Sequence, residues 1–116
     1  MHEIISVNAR KEVRVHCQIT VQFSVFHENY YGTCWNLAMH GMYVAFEGAL
    51  ELGAPIELSF VVSDEYPSFI EVSGKVAWLN VGENRIDADR PEGFGVEFVN
   101  IDEYSIAAIE KFIAHS

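Results

Sequence analysis

Two arginines, Arg10 and Arg14, flank the short segment Lys11-Glu12-Val13 near the start of the 116-residue chain. The planar guanidinium fork of arginine binds phosphate oxygens in pairs, grips the O6 and N7 edge of a guanine, or stacks on a base. In an extended chain the two α-carbons would lie about 13 Å apart, at roughly 3.3 Å per residue. Both forks can therefore reach one ligand only if the chain bends or the ligand is large. Without further context, such a pair is more typical of a solvated basic rim.

The basic cluster contrasts with the rest of the chain, which is acidic. Seventeen carboxylates outnumber seven basic side chains, giving a formal net charge of -10, whereas residues 10–14 carry +2. An acidic surface repels a phosphate backbone, which argues against binding to DNA or RNA polymers. We therefore expect any bound anion to be small and to be held locally.

The arginines stand at the start of a predicted strand. From Val13 to Val25 apolar and polar residues alternate, which is typical of an antiparallel strand with one face on a core. Turn residues follow at 27–29, and an extended segment at 30–46 predicts the return strand of a hairpin. With the turn centred near 27–28, the numbers of paired residues sum to about 55.

The predicted hairpin brings a second polar segment to the arginines, namely Asn36-Leu37-Ala38-Met39-His40-Gly41. In this register Gly41 lies opposite Arg14, and Asn36 and Ala38 face the same way further along the edge. An asparagine amide both donates to and accepts from a base edge, and a glycine lets the backbone approach a ligand closely. The two segments together therefore predict a binding site.

The remaining chain predicts more strands and one helix. Apolar alternation recurs at 56–62 and at 70–78, a polar loop covers 80–93, and a last strand follows. Five or six strands without an intervening helix favour an all-β fold, an antiparallel sheet closed into a small barrel. At 102–114, Asp102 as a cap and apolar residues at helical spacing predict a C-terminal helix.

These features together resemble the PilZ domain, a bacterial receptor module for cyclic di-GMP. The family has RxxxR at the first strand, (D/N)xSxxG one hairpin later and a final strand like "GVEF"; this chain has RKEVR, NLAMHG and "GFGVEF". The resemblance covers most of the chain and implies a six-stranded barrel. It also implies that Arg10 and Arg14 grip guanine and phosphate, that Asn36 reads guanine and that Gly41 permits a tight turn.

Ala38 departs from this pattern, because the family has serine at that position. A lost hydrogen bond costs about 0.5–1.5 kcal/mol, or about 1.5–3 kcal/mol to a charged group, so affinity falls by roughly threefold to more than a hundredfold. Two hypotheses stay open: a weakened receptor, and a chain that no longer binds. Retention of both arginines, Asn36 and Gly41 favours residual binding.

Other reactive residue types are given structural roles. Cys17 and Cys34 are expected to be free buried thiols. The histidines lack metal spacing, although His40 falls within the second segment, and the acidic loop lacks a calcium pattern. Trp35 and Trp78 follow the apolar parity of their strands and are predicted to lie in the core. No metal, cofactor or catalytic residue is predicted, and an enzyme is not expected.

The sequence leads to a cyclic di-GMP receptor or adaptor that passes the signal to an unknown protein partner in motility or biofilm regulation. The alternative is a PilZ-like interaction module that has weakened or lost the ligand. A third hypothesis, an oligonucleotide-binding barrel, fits the strand count but not the charge. We expect one cytoplasmic domain over 1–116, with a flexible lead-in at 1–9 and no membrane insertion, and we leave a homodimer open.

Overall fold

The computed structural model describes residues 12–63, 67–83 and 85–116. Its elements are β1 (Val15–Val25), β2 (Glu28–Ala38), β3 (Gly41–Ala45), β4 (Pro55–Ser63), β5 (Pro67–Asn80), β6 (Gly93–Asn100) and α1 (Glu103–Ala114). The strands form a closed barrel in the order β1-β2-β3-β6-β5-β4, with every neighbouring pair antiparallel. The predicted six-stranded antiparallel barrel with a C-terminal helix is confirmed. The lead-in expected at 1–9 lies outside the described residues.

The core fills the inside of this barrel. In β4 every second residue is buried and its neighbours are more exposed, which is the alternation that the sequence shows. The buried members are Ile56, Leu58, Phe60 and Val62. Burying one large apolar side chain stabilises the fold by about 1.5–3 kcal/mol. Closure of the sheet pairs the two strands that would otherwise be edges.

The first hairpin turns at Phe26 and His27. The turn therefore ends two residues before the end of the predicted turn at 27–29. Both residues have positive φ angles, 50° and 69°, and the flanking pair is Val25 with Glu28. Two consecutive positive φ angles define the tight turn that matches strand twist. Paired numbers therefore sum to 53 near the turn and to 52 beyond an irregularity between His16 and Ile19. The predicted sum of 55 was wrong because Phe-His lacks the usual Asn-Gly signal for this turn.

The predicted single return strand is in fact two strands. The chain turns at Met39 and His40, so that Ala38 at the end of β2 pairs with Gly41 at the start of β3. The backbone N–H of Phe98 in β6 donates to the carbonyl of His40, which ties this turn to the barrel. The expectation that Gly41 lies opposite Arg14 was therefore wrong.

The helix α1 begins as the sequence predicts. Asp102 accepts a hydrogen bond from the backbone N–H of Ser105 at 2.7 Å, and Glu103 occupies the positive first turn. Ile109 is fully buried, and the helix packs against β2, β4 and β5. Among the described residues, no helix has the length and hydropathy needed to cross a membrane.

Candidate ligand-binding site

The two predicted motifs meet through Arg14 and Asn36. The Nη1 atom of Arg14 donates to Oδ1 of Asn36 at 3.0 Å, across 22 residues of sequence. Asn36 is held because it pairs with His16 across the β1–β2 hairpin, and it is only 8 % exposed. Arg14 lies just before β1 and keeps 47 % of its side chain exposed. A fork with one prong on an amide oxygen and about half of its side chain exposed is suited to receive an anion or a base edge. Arg10 lies outside the described residues.

Glu12 places a carboxylate beside this fork. Its Oε1 lies 3.7 Å from Nη2 of Arg14, while its Oε2 accepts from the backbone N–H of His40 at 3.1 Å and contacts Nδ1 of His40 at 2.6 Å. Residues from both motifs therefore share this carboxylate. A negative charge at this point opposes the approach of another anion to Arg14.

Ala38 and Gly41 are both buried among the strands. Ala38 is fully buried, and Gly41 lies so close to β6 that an added Cβ would stand 2.2 Å from the carbonyl oxygen of Val96. Gly41 is not among the described residues with positive φ, which include Phe26, His27, Gly53 and Gly82. The resemblance implies a tight turn at this glycine, but the structure requires glycine for close strand contact instead.

A cleft of about 630 Å³ lies beside Arg14, along β3, β5 and β6. We call it the side cleft; its lining includes Arg14, His40, Tyr43, Lys75, Trp78 and Arg90. The rings of Tyr43 and Trp78 lie with centroids 5.3 Å apart. The guanidinium carbon of Arg90 stands 4.9 Å from the Tyr43 centroid and 5.6 Å from the Trp78 centroid. Such a volume suits a small-molecule ligand. Tyr43 is only 1 % exposed, so the half-buried Trp78 and Arg90 are the surfaces that suit a base.

A buried asparagine holds the loop that carries Arg90. Asn80, fully buried, donates from Nδ2 to the Tyr43 hydroxyl at 3.0 Å and to the Asp87 carbonyl at 2.8 Å, and accepts from the Asp87 backbone N–H at 2.7 Å. Asp87 in turn accepts from Nε of Arg90 at 2.8 Å. Burial raises the pKa of Tyr43, so its hydroxyl stays protonated at neutral pH and donates to the Pro91 carbonyl. The loop is therefore anchored at Asp87, while most of its described residues stay exposed.

Sequence reasoning missed the aromatic part of the side cleft. It placed Trp35 and Trp78 in the core, but both are only half-buried and neither belongs to the core cluster. An irregularity in the β5–β6 pairing between Val76 and Trp78 breaks the parity there, and Leu79 packs on the core instead. Trp35 packs edge-on against His16, with centroids 4.6 Å apart. Gly95 in "GFGVEF" was the sequence feature that could have indicated the position of Trp78. The indole packs where a Cβ of residue 95 would lie, only 2.0 Å from the indole Nε1.

Comparison with protein-family models decides the family. The model for the PilZ domain matches residues 8–115, nearly the whole chain. The chain belongs to the PilZ domain family. This match confirms the resemblance on which the motif assignments depend.

Solved PilZ-domain structures have the same fold at low sequence identity. The Bacillus subtilis inhibitor of motility MotI/DgrA is 18 % identical with a TM-score of 0.75, over 90 % of this chain and 49 % of that chain. The PilZ domain of Escherichia coli YcgR, solved with c-di-GMP, is 13 % identical with a TM-score of 0.67, over 90 % of this chain and 88 % of that chain. The PilZ domain of CeSA from a cellulose-synthesizing bacterium is 11 % identical with a TM-score of 0.60, over 88 % and 95 %.

The comparisons show the family and the fold. The chain spans about half the length of the MotI chain that it matches. No curated protein matches it significantly by sequence. The family includes cyclic di-GMP receptors, as the YcgR structure with its ligand illustrates.

Proposed function

We propose that this PilZ domain is a non-catalytic receptor for cyclic di-GMP, and that Arg14, Asn36 and the side cleft hold the ligand. The observation that carries the proposal is the 3.0 Å hydrogen bond between Arg14 and Asn36, which joins the two family motifs at the edge of the cleft. We extend the proposal to Arg10, Ala38 and Gly41 by their positions in the same motifs. We also propose a cytoplasmic location and relay of the signal to a protein partner.

The chemistry of the site supports this ligand class. Cyclic di-GMP carries two phosphates and two guanines, so a receptor needs cationic forks and base-edge or stacking contacts. Arg14 offers a half-exposed fork, and Asn36 offers an amide whose oxygen accepts from that fork. Trp78 and Arg90, both half-buried, add an aromatic ring and a guanidinium to the lining of the cleft, and the buried Tyr43 packs behind them. A local positive site on an acidic body selects a small anion over a nucleic-acid polymer.

The second candidate function is an interaction module with the same fold that no longer binds the ligand. Ala38 favours it, because this buried side chain has no hydroxyl where the family motif has serine. The similarity of fold to an inhibitor of motility makes motility control the first process to test for a partner.

Calorimetric titration of the full chain with cyclic di-GMP tests the first candidate against the second, with 5′-GMP as the ligand control. We expect saturable heat for cyclic di-GMP and a tighter complex for Ala38→Ser, by roughly threefold to a hundredfold. Heat in Ala38→Ser alone would show that this chain has lost the ligand and would favour the interaction module. Absence of heat in both proteins up to about 1 mM ligand would refute the receptor.

Glu12→Gln is expected to tighten cyclic di-GMP binding by about threefold to tenfold. The change removes the negative charge 3.7 Å from Nη2 of Arg14 but keeps an oxygen that accepts from the His40 backbone. The same titration measures the effect. Glu28→Gln, an exposed position at the turn end of β2, is the matched control and should leave the affinity unchanged. An equal gain in both variants would mean that only net charge matters.

A further inference from the structure

Two cysteines face each other in the first hairpin, one on each strand. The sulfur of Cys17 in β1 lies 3.3 Å from the sulfur of Cys34 in β2, and both thiols are free. The strands pair His16 with Asn36 and Ile19 with Cys34, so Cys17 lies in the irregular stretch where two residues of β1 oppose one of β2. Regular ladder pairing does not fix the backbone at that point. Cys17 is in no regular pair, so its side of the contact can adjust as the sulfurs approach, whereas Cys34 is paired with Ile19 and Val44.

We propose that Cys17 and Cys34 are an oxidation site, a dithiol that hydrogen peroxide converts to an intrachain disulfide. The sulfurs must close from 3.3 Å to about 2.05 Å, the length of the covalent bond. The Cys17 thiolate attacks one peroxide oxygen, the O–O bond breaks, and Cys17 becomes a sulfenic acid as hydroxide leaves. The Cys34 sulfur then attacks the Cys17 sulfur, the S–O bond breaks, and two waters are produced in total. The thiols lose two electrons and the peroxide gains them.

The environment assigns different roles to the two thiols. Cys17 is half-buried and reachable from solvent, whereas Cys34 is fully buried. The hydrogen bond with Cys34 holds the pKa of Cys17 below its ordinary value, and the same hydrogen bond together with burial raises the pKa of Cys34. Cys17 is therefore the thiol that meets peroxide, and Cys34 is the resolving partner. In a reducing compartment the bond is transient, as expected of a signal.

The dithiol is connected to the Arg14–Asn36 pair. The Cys34 thiol donates to the backbone carbonyl of Asn36 at 3.2 Å, and the Asn36 side chain accepts from Arg14. A disulfide removes the thiol proton and with it this hydrogen bond. It also draws β1 and β2 together two residues from Asn36. Oxidation should therefore move Asn36 and weaken ligand binding, a consequence that rests on the proposed function.

Intact-mass spectrometry tests the dithiol without any ligand. The reduced full chain is treated with hydrogen peroxide and then with N-ethylmaleimide under denaturing conditions. We expect the wild type to lose two hydrogen atoms, to take up no label, and to recover two labels after dithiothreitol. Cys17→Ser should stay monomeric and take up one label on Cys34, and Cys34→Ala should stop at a sulfenic acid on Cys17. Two labels on peroxide-treated wild type, or oxidation of both cysteines without loss of two hydrogens, would overturn the proposal.

A separate measurement tests whether the disulfide affects Asn36 and ligand binding. In the NMR spectrum of the oxidised wild type, the side-chain amide signal of Asn36 should shift from its reduced position, with no shift in peroxide-treated Cys17→Ser. Cyclic di-GMP titration should show a several-fold loss of affinity on oxidation. An unmoved Asn36 signal would overturn the link but not the disulfide. Failure of the reduced protein to bind would count against the proposed function alone, because the mass and NMR results stand without ligand.

Discussion

Arg14→Ala is expected to abolish saturable binding of cyclic di-GMP. The substitution removes a guanidinium that keeps 47 % of its side chain exposed at the edge of the side cleft. A hydrogen bond to a charged group contributes about 1.5–3 kcal/mol, so loss of a two-pronged contact lowers affinity by about a hundredfold or more. The oriented oxygen of Asn36 also loses its partner in the free protein.

Calorimetry with three variants separates the causes of this loss. Arg14→Lys keeps the charge and loses the fork, so it should retain weak binding. Lys111→Ala removes one positive charge from α1, away from the lining of the side cleft, and should bind like the wild type. Urea unfolding of Arg14→Ala should change little, because a half-exposed ion pair contributes little to stability. Wild-type affinity in Arg14→Ala would mean that the ligand does not use this motif.

The fold could be predicted from the sequence because two of its strands, β1 and β4, alternate strictly along their length. In β1 and β4 the alternation marks the face that the barrel buries. The helix could be placed because its cap, Asp102, is local chemistry. Registers could not be predicted, since they depend on turns and irregularities without a strong signal, such as the two positive φ angles at Phe26 and His27.

The site could be predicted in part, because some of its contacts need only an approximate register and others need an exact one. Contact between Arg14 and Asn36 follows from a hairpin of roughly the right length, and an error of two or three in the register still brings long side chains together. The positions of Trp78 and Arg90 could not be predicted from the sequence. They depend on the irregularity in the β5–β6 pairing and on the loop that Asn80 holds. The role of Glu12 could not be predicted, because its partner His40 is positioned by the turn between β2 and β3.

Gly41→Ala is expected to destabilise the whole domain rather than only the site. The new Cβ would stand 2.2 Å from the carbonyl oxygen of Val96, a backbone atom of the paired strand β6. Backbone cannot rotate aside as a side chain can, so β3 and β6 must separate at Gly41, next to the turn that Phe98 ties down. We expect a loss of about 3 kcal/mol or more in the free energy of unfolding, a large share of the stability of a small domain.

Gly95→Ala provides the contrast that makes the Gly41 prediction specific. A Cβ at Gly95 would stand 2.0 Å from the indole Nε1 of Trp78, and a half-buried side chain can move away. The free energy of unfolding should therefore fall less than in Gly41→Ala, while ligand affinity falls because Trp78 leaves Tyr43 and Arg90. Urea denaturation followed by circular dichroism measures the first quantity, and calorimetry measures the second. If Gly41→Ala unfolds at the wild-type urea concentration, the close contact with β6 is not what requires glycine there.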